Sequence, residues 1–319
     1  MSSKMTNSIR FVIIFFGILV GGPAWTAPKG SPWGADYFPN VTLVTQEGKK
    51  VRFYDDLLKG KVVAINFIYT HCVDSCSLET ARLLKVEKLL NVHMGKEIFF
   101  YSISLDPKND TPATLKNYAQ KFNTGPGWTF LTGKEKDITL LRKKLGLYST
   151  DADAKQLSNH STSFMIGNEA SGQWIRRSPY DDSKILARLF VNRLLNLPEA
   201  HDGEQDYATA TTKYLAPGKG QEIFNSRCES CHSLTTAEGI GPGLAGIMQR
   251  RDKTWLVSWL KAPNKLIESG DPVAVGLYNQ YKQIMMPNSR LSDQDIEALL
   301  AFMTQSTSPP IEHEHSAPL

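Results

Sequence analysis

The chain has 319 residues, of which 41% are hydrophobic and 21% charged, a globular composition with enough length for two packed domains. The formal net charge is only +4 and no block of like charges occurs, so the sequence excludes the basic patch expected of a nucleic-acid-binding protein. The four cysteines form two close pairs, whose short loops cannot staple a large domain, and this favours redox or metal chemistry.

An export signal is predicted over residues 1–27. Lys4 and Arg10 give it a positive start, and small residues follow the apolar run over residues 11–20. This run is much shorter than the roughly 20 residues that span a bilayer. The protein is therefore predicted to be periplasmic, or otherwise exported. The alternative is an uncleaved leader, which would be its only means of membrane association.

Residues 28–198 alternate strand and helix patterns, which predicts an α/β domain with a mixed sheet. The run over residues 62–69 is rich in β-branched and aromatic residues, as in a strand that is buried on both faces. The other patterns predict a hairpin over 41–45 and 50–53, strands over 98–105, 161–166 and 173–176, and helices over 76–90, 113–122, 137–145 and 182–195.

The first cysteine pair, Cys72 and Cys76, lies where this buried strand ends and a helix begins. A helix N-terminus favours negative charge, so a thiol pKa is expected to fall there. Two thiolates at this spacing can form a disulfide or bind one soft metal ion, for which Cu(I) is the best match. The pair is therefore predicted to be a redox or copper site, and an inert disulfide is the plainer alternative.

Residues 215–306 show helical patterns only, which predicts an all-α domain with helices over 218–228, 253–261 and 292–303. The polar segment 199–214, which has almost no large apolar residues, is predicted to be a linker between the two domains. The tail over residues 307–319 contains three prolines and is predicted to be disordered.

The second cysteine pair belongs to a C-x-x-C-H motif formed by Cys228, Cys231 and His232. Two cysteines at this spacing can each bond one vinyl group of a porphyrin, and the adjacent imidazole can then bind the iron. The motif predicts one covalently attached haem c, with His232 as the proximal ligand. The alternative is a bare thiol pair beside an incidental histidine.

From Tyr214 to Gln305 the sequence resembles a class I cytochrome c, because the C-x-x-C-H motif is followed by a glycine–proline loop at 241–243, a Met-Pro pair and a final apolar helix. The resemblance implies that Met286, before Pro287, is the sixth iron ligand. Its neighbour Met285 is an alternative, and either side chain could instead fill space in the core. A His/Met ligand pair suits electron transfer.

The N-terminal domain resembles the Sco/SenC family through three motifs in order: residues 60–76 around the cysteine pair, the acidic, proline-flanked segment 106–112, and residues 159–161. The resemblance implies a thioredoxin-like fold. It also implies that the protein delivers copper to the dinuclear copper centre of cytochrome oxidase, reduces the cysteines of that centre, or does both. The implied copper ligands are Cys72, Cys76 and His160.

Three residues depart from the pattern of that family. Val73 and Ser77 stand where proline is usual, and Asn159 stands where an aspartate commonly precedes the ligand histidine. Loss of that charge is expected to weaken the hold on the imidazole and on a nearby copper cation. None of the three changes removes an implied ligand, so the copper site stays a prediction.

Three functional hypotheses follow. The first is an exported copper-binding redox assembly factor with a fused haem c electron carrier, whose partner is the copper-centre subunit of cytochrome oxidase or another periplasmic redox client. The second is a copper-independent thiol–disulfide oxidoreductase coupled to the cytochrome. The third is a plain electron-transfer cytochrome with a docking domain. One-electron copper chemistry matches a one-electron haem better than two-electron thiol oxidation does, which favours the first. Whether the protein is an enzyme stays open.

Overall fold

The computed structural model describes residues 33–148, 161–197 and 218–306. The predicted leader, the linker, the C-terminal tail and His160 lie outside these residues. Within the described ranges, no helix has both the length and the apolar character needed to cross a bilayer.

The N-terminal part is built on one mixed sheet of seven strands in the order β2-β1-β5-β4-β3-β6-β7. The central strands β3, β4 and β5 are parallel, whereas β6 runs antiparallel to β3, and hairpins form both edges. The strands are β1 (Thr42–Thr45), β2 (Lys50–Arg52), β3 (Val62–Ile68), β4 (Ile98–Ser104), β5 (Trp128–Gly133), β6 (Phe164–Asn168) and β7 (Gln173–Arg177). The predicted α/β fold with a mixed sheet is confirmed.

Helices cover this sheet and bury most residues of its central strands. Every residue of β3 is buried, as the apolar run predicts for a strand with neighbours on both edges and layers on both faces. The helices are α1 (Cys76–Leu89), α2 (Pro112–Phe122), α3 (Glu135–Lys144) and α4 (Ser183–Arg188), and π-helical turns cover Phe53–Leu58 and Leu189–Leu194. The core of this part is therefore continuous from the sheet to the inner face of α1.

The C-terminal part is entirely helical within its described residues, as predicted. Its helices are α5 (Lys219–Ile223), continued by a π-helical turn to Cys228, α6 (Ile247–Arg250), α7 (Lys253–Lys261), α8 (Pro263–Glu268), α9 (Pro272–Gln280) and α10 (Asp293–Ser306). A small core joins Phe224 to α7 and α10. Gly220 lets α5 approach α10 closely, because a Cβ at this position would collide with the carbonyl oxygen of Ala298 and lie 2.7 Å from Cβ of Phe302.

Several elements differ from the sequence prediction. Strand β5 was not predicted, because its six residues follow Gly127 and end at Gly133, and glycines at both ends resemble a loop. The short helices α8 and α9 were not predicted either, because Pro263 and Pro272 resemble breaks although proline fits well at the first helical position. The predicted helices over 182–195 and 218–228 both change to π-helical turns halfway along.

We expect Gly220→Ala to destabilise the C-terminal part by about 3 kcal/mol, because the added methyl group must push backbone and ring apart at the α5–α10 crossing. Thermal unfolding followed by haem absorbance would measure the change. Gly276→Ala in α9 is the matched control, since its added Cβ would meet nothing within 4 Å and alanine favours a helix. Equal melting temperatures for the two variants would contradict the close approach.

Candidate functional site

The first cysteine pair lies at the junction that the sequence predicts. Cys72 follows β3, and Cys76 is the first residue of α1. Both side chains are buried, and the backbone N–H of Cys76 donates to the sulfur of Cys72 at 3.5 Å. Within the described residues no disulfide joins any of the four cysteines. The pair is therefore a buried dithiol that receives a hydrogen bond from a helix N-terminus.

The two thiols have opposite acidities. A hydrogen bond from the Cys76 thiol is the main reason that the pKa of Cys72 falls to about 6, with a further hydrogen bond from Tyr69, although burial opposes the shift. Burial and the neighbouring Cys72 raise the pKa of Cys76 well above its ordinary value. Cys72 is therefore the thiolate at neutral pH and Cys76 keeps its proton, a division that suits attack on a disulfide or binding of a soft metal.

A fully buried carboxylate supports the rim of this site. Asp110, from the acidic motif, accepts hydrogen bonds from the hydroxyls of Thr70 and Ser104, both at 2.6 Å, and from the Thr70 backbone N–H at 3.2 Å. The side chain of His71 is half exposed, and its Nε2 lies 3.4 Å from Asp106. The acidic motif thus fixes the chain just before Cys72.

Glu79 is a residue of this site that the sequence analysis missed. Only 1% of it is exposed, and its Oε1 has no hydrogen-bond partner among the described residues. Burial, and to a smaller extent the charge of Cys72, raise the pKa of Glu79 to about 8. Its position three residues after Cys76, on the inner face of α1, was the available signal.

The third implied copper ligand cannot be compared with the thiols, because His160 lies outside the described residues. Among the residues described, no group of three or more His, Cys, Asp or Glu side chains is arranged to hold a metal ion. The assignment of Cys72, Cys76 and His160 as copper ligands therefore stays a prediction.

The C-x-x-C-H segment is a compact turn beside an apolar cleft. The N–H groups of Cys231 and His232 both donate to the carbonyl of Cys228 at 3.0 Å, which closes the turn. The His232 Nδ1 lies 2.9 Å from the carbonyl oxygen of Pro242, and this contact orients the ring. A Cβ at Gly241 would lie 2.5 Å from Cε1 of His232, so only glycine lets this loop pack flat against the imidazole.

The cleft has the chemistry expected of a haem site. Its walls are mostly apolar, with a few polar groups among them. Burial lowers the pKa of His232, which favours the neutral imidazole that binds metals. The lining includes the two predicted iron ligands, His232 and Met286, and the alternative ligand Met285. Other lining residues are Cys231, Trp259 and Tyr278. These residues fit a haem, although the lining does not discriminate between the two methionines.

The two sites belong to two parts of the chain that are in direct contact. Cys231, Ile240 and Ile284 of the helical part pack against the core of the sheet domain. Ser77, one residue after Cys76, lines the same cleft as His232. Neither contact was predicted from the sequence, because no local pattern encodes a contact between segments so far apart.

A mixed α/β sheet with a dithiol at a strand–helix junction, joined to a helical part with a C-x-x-C-H turn on an apolar cleft, defines a thioredoxin-like protein fused to a c-type cytochrome. A family model described as SCO1/SenC matches residues 32–195, and one described as Cytochrome c matches residues 218–307. The chain belongs to the SCO1/SenC family and carries a C-terminal cytochrome c domain.

Relatives from several organisms are similar to this chain. A SCO2-like protein of Rickettsia prowazekii is 31% identical over 213 residues, which cover 59% of this chain and 99% of the relative. A SCO2-like protein of Rickettsia conorii is 32% identical over 146 residues, or 44% of this chain and 68% of the relative. The SCO1 protein homolog of Bacillus subtilis is 28% identical over 149 residues, or 44% of this chain and 76% of the relative.

Two solved structures resemble part of the chain. A SCO1/SenC family lipoprotein from Bacillus anthracis is 27% identical with a TM-score of 0.42, and the match covers 51% of this chain and 96% of that one. The copper-bound ScoI of Bradyrhizobium japonicum is 26% identical with a TM-score of 0.38, and the match covers 46% of this chain and 92% of that one.

We expect Cys76→Ala to raise the pKa of Cys72 from about 6 towards the ordinary value of 9.0, because the variant removes the hydrogen bond that contributes most to the shift. Cys76→Ser keeps a donor and is expected to hold the pKa of Cys72 nearer to 6. The pH dependence of Cys72 alkylation, measured by mass spectrometry of the peptide, reports this pKa. An alkylation midpoint in Cys76→Ala equal to that of the unmodified chain would show that Cys76 is not the donor.

Glu79→Gln is expected to change how stability depends on pH. Because the pKa of Glu79 is raised from 4.5 to about 8, the carboxyl contributes stability at low pH that is lost as the pH rises through about 8. The neutral amide cannot titrate, so the variant should gain about 3 kcal/mol relative to the unmodified chain between pH ~5 and pH ~8. Urea unfolding across this range measures the difference, with the exposed Glu97→Gln as control. Parallel pH profiles for Glu79→Gln and the unmodified chain would contradict the raised pKa.

Proposed function

We propose that this chain is an exported copper-binding redox assembly factor that matures the copper centre of cytochrome oxidase and carries its own haem c as an electron carrier. The observation that carries the proposal is the direct contact between the helix that begins at the dithiol and the segment that would attach the haem. An electron carrier that is part of the same chain, and docked at the site, requires no diffusional encounter.

Helix α1 makes this contact with two side chains. The Arg82 guanidinium donates to the carbonyl oxygens of Asn225 at 3.3 Å and Ser226 at 3.0 Å, just before the haem motif. Lys85 forms an ion pair of 2.8 Å with Glu229, inside the motif. These contacts support a defined distance between the dithiol and the haem cleft.

The haem would be held by thioethers to Cys228 and Cys231 and by iron ligation from His232 and Met286. When bound, it would supply a one-electron couple next to the dithiol. The protein's own contribution is to orient the imidazole through Pro242 and to exclude water from the cleft with apolar side chains.

Copper would be the cargo of the first site. The Cys72 thiolate, with Cys76 and His160, provides the soft donor set that selects Cu(I) over hard cations. Cys76 would lose its proton on binding, which the metal charge favours. Reduction of Cu(II) to Cu(I) takes one electron, which one haem can supply, whereas formation of a disulfide from the Cys72 thiolate and the Cys76 thiol releases two electrons and one proton. This stoichiometry favours copper handling.

The asymmetric thiols support a second candidate, a copper-independent thiol–disulfide oxidoreductase. The Cys72 thiolate would attack a client disulfide to form a mixed disulfide, and Cys76 would then release the client as the pair becomes oxidised. Because the haem carries one electron at a time, two successive transfers through it would be needed to convert the pair between its disulfide and dithiol forms. Membership of the SCO1/SenC family is compatible with both candidates.

A copper titration separates the two candidates. We expect anaerobic addition of Cu(I) to the reduced, haem-loaded chain to fill one saturable site, and both Cys72→Ser and His160→Ala should weaken binding at least tenfold because each removes a ligand. His93→Ala is the matched control, since the His93 ring pairs with Glu97 at 3.5 Å in another part of the domain.

The other outcomes are equally specific. Absence of saturable copper binding would favour the thiol–disulfide candidate. Full oxidase maturation by a Cys72→Ser/Cys76→Ser double variant would contradict both candidates and leave a cytochrome with a docking domain.

A further inference from the structure

The loop that contains the dithiol is joined to the loop that contains the two methionines by three direct contacts. We define the thiol loop as residues 72–77 and the methionine loop as residues 282–290. The Ser77 hydroxyl donates to the Met285 carbonyl at 2.8 Å, and the Asn288 N–H donates to the Val73 carbonyl at 3.0 Å. Arg290 and Asp74 form an ion pair of 3.2 Å.

These contacts involve residues between the two cysteines and the residue after the second cysteine. Val73 and Asp74 lie between the two cysteines, and Ser77 follows the second one directly. Ser77 is 6% exposed and lines the cleft together with His232, so its hydroxyl is shielded from competing water. The Asp74 side chain is also largely buried, whereas Arg290 is exposed. The hydrogen bond from Ser77 is thus the best protected of the three contacts.

The methionine loop depends on such contacts because its own backbone is unfavourable. Lys282, Gln283 and Arg290 all have positive φ angles, between 49° and 56°, which non-glycine residues rarely adopt. Among the described residues, the Arg290 N–H donates to the Asn288 side chain at 3.0 Å and further bonds lie within residues 278–284, whereas the other hydrogen bonds and ion pairs of this segment come from the sheet domain. Lys121 adds one more, to the Gln283 carbonyl at 3.4 Å. A strained segment of this kind persists only where its surroundings fix it.

We propose that Ser77 and Arg290 are positioning residues for the methionine loop, so that methionine ligation of the haem responds to the state of the Cys72–Cys76 pair. The proposal rests on the proposed haem site but not on copper. Closing the pair into a disulfide draws the two sulfurs together, with loss of two electrons and the proton of Cys76. Val73, Asp74 and Ser77 belong to the thiol loop. A movement of this loop therefore displaces the residues that contact the methionine loop, including Ser77, which donates the hydrogen bond to the Met285 carbonyl.

The coupling is reciprocal. If the dithiol and disulfide states hold the methionine loop with different strength, then methionine ligation must also bias the thiol pair towards one of its states, by thermodynamic linkage. Methionine ligation of the haem and the redox state of the dithiol can therefore affect each other through these contacts, without electron transfer between the two sites.

Carbon monoxide tests the proposal, because it binds ferrous haem only when the methionine leaves the iron. In the full haem-loaded chain, reduced with dithiothreitol, Ser77→Ala is expected to bind carbon monoxide about threefold to tenfold more tightly, the range of one lost hydrogen bond. Ser77→Thr keeps a hydroxyl and should restore the unmodified affinity. Ser258→Ala, which removes a hydroxyl that donates to the Thr254 carbonyl at 3.0 Å, is the matched control and should have no effect.

The coupling itself is measured by comparing two thiol states of the same protein. Diamide takes two electrons from the pair, one proton from Cys76 and one proton from water, and the disulfide forms. After diamide is removed, ascorbate reduces the haem without opening the disulfide. The unmodified chain should show at least a threefold difference in carbon monoxide affinity between the dithiol and disulfide forms. Ser77→Ala and Arg290→Gln should each reduce this difference.

Two results would overturn the proposal, and they are distinguishable. Equal affinities for Ser77→Ala and Ser258→Ala, or for the two thiol states, would show that the loops are not coupled while leaving the proposed function intact. If instead the unmodified chain binds carbon monoxide as tightly as both Met285→Leu and Met286→Leu variants, the haem has no methionine ligand, and the proposed haem site fails with it.

Discussion

Helix α1 is the element on which both halves of the molecule depend. Its N-terminus lies at the dithiol, its inner face completes the core of the sheet domain, and its outer face carries Arg82. This guanidinium donates to the backbone carbonyls of Pro179, Tyr180 and Asp181 in its own domain as well as to the cytochrome domain. Burial lowers the pKa of Arg82, but carbonyl dipoles and a planar fork of donors stabilise the cation. One helix therefore fixes the thiol chemistry and the docking of the haem segment.

The same burial that stabilises α1 sets the chemistry at its start. A dry environment penalises every charge there, so Cys76 and Glu79 hold their protons while only Cys72, with donors directed at its sulfur, is stable as an anion. Of these three groups, only the Cys72 sulfur, just after β3, carries the negative charge. The same thiolate would bind a copper cation or attack a client disulfide as a nucleophile, which is why acidity alone cannot separate the two candidate functions.

The sequence was sufficient to predict features that depend on residues close together along the chain. The buried strand, the start of α1 at Cys76, and the C-x-x-C-H turn all depend on neighbours within a few residues, and the structure has them as predicted. The contacts of Ser77 and Arg82 with the cytochrome domain cross more than a hundred residues of chain, and nothing in a local pattern marks them. Glu79 does have a local signal in the sequence, because a carboxylate on the inner face of an apolar helix conflicts with binary patterning.

The departures from the family pattern have different consequences once the docking is considered. Proline at position 77 could not donate to the Met285 carbonyl, because it has no hydroxyl, whereas the serine found here does so at 2.8 Å. At position 73 only the carbonyl is used, and any residue supplies one. The contact with the cytochrome domain therefore uses the side chain of Ser77 but only the backbone of Val73. His71, just before Cys72, is half exposed, whereas Ser77, just after Cys76, is buried and bonded to the cytochrome domain. The chain before the dithiol is thus fixed by the acidic motif of its own domain, and the chain after it by the cytochrome domain.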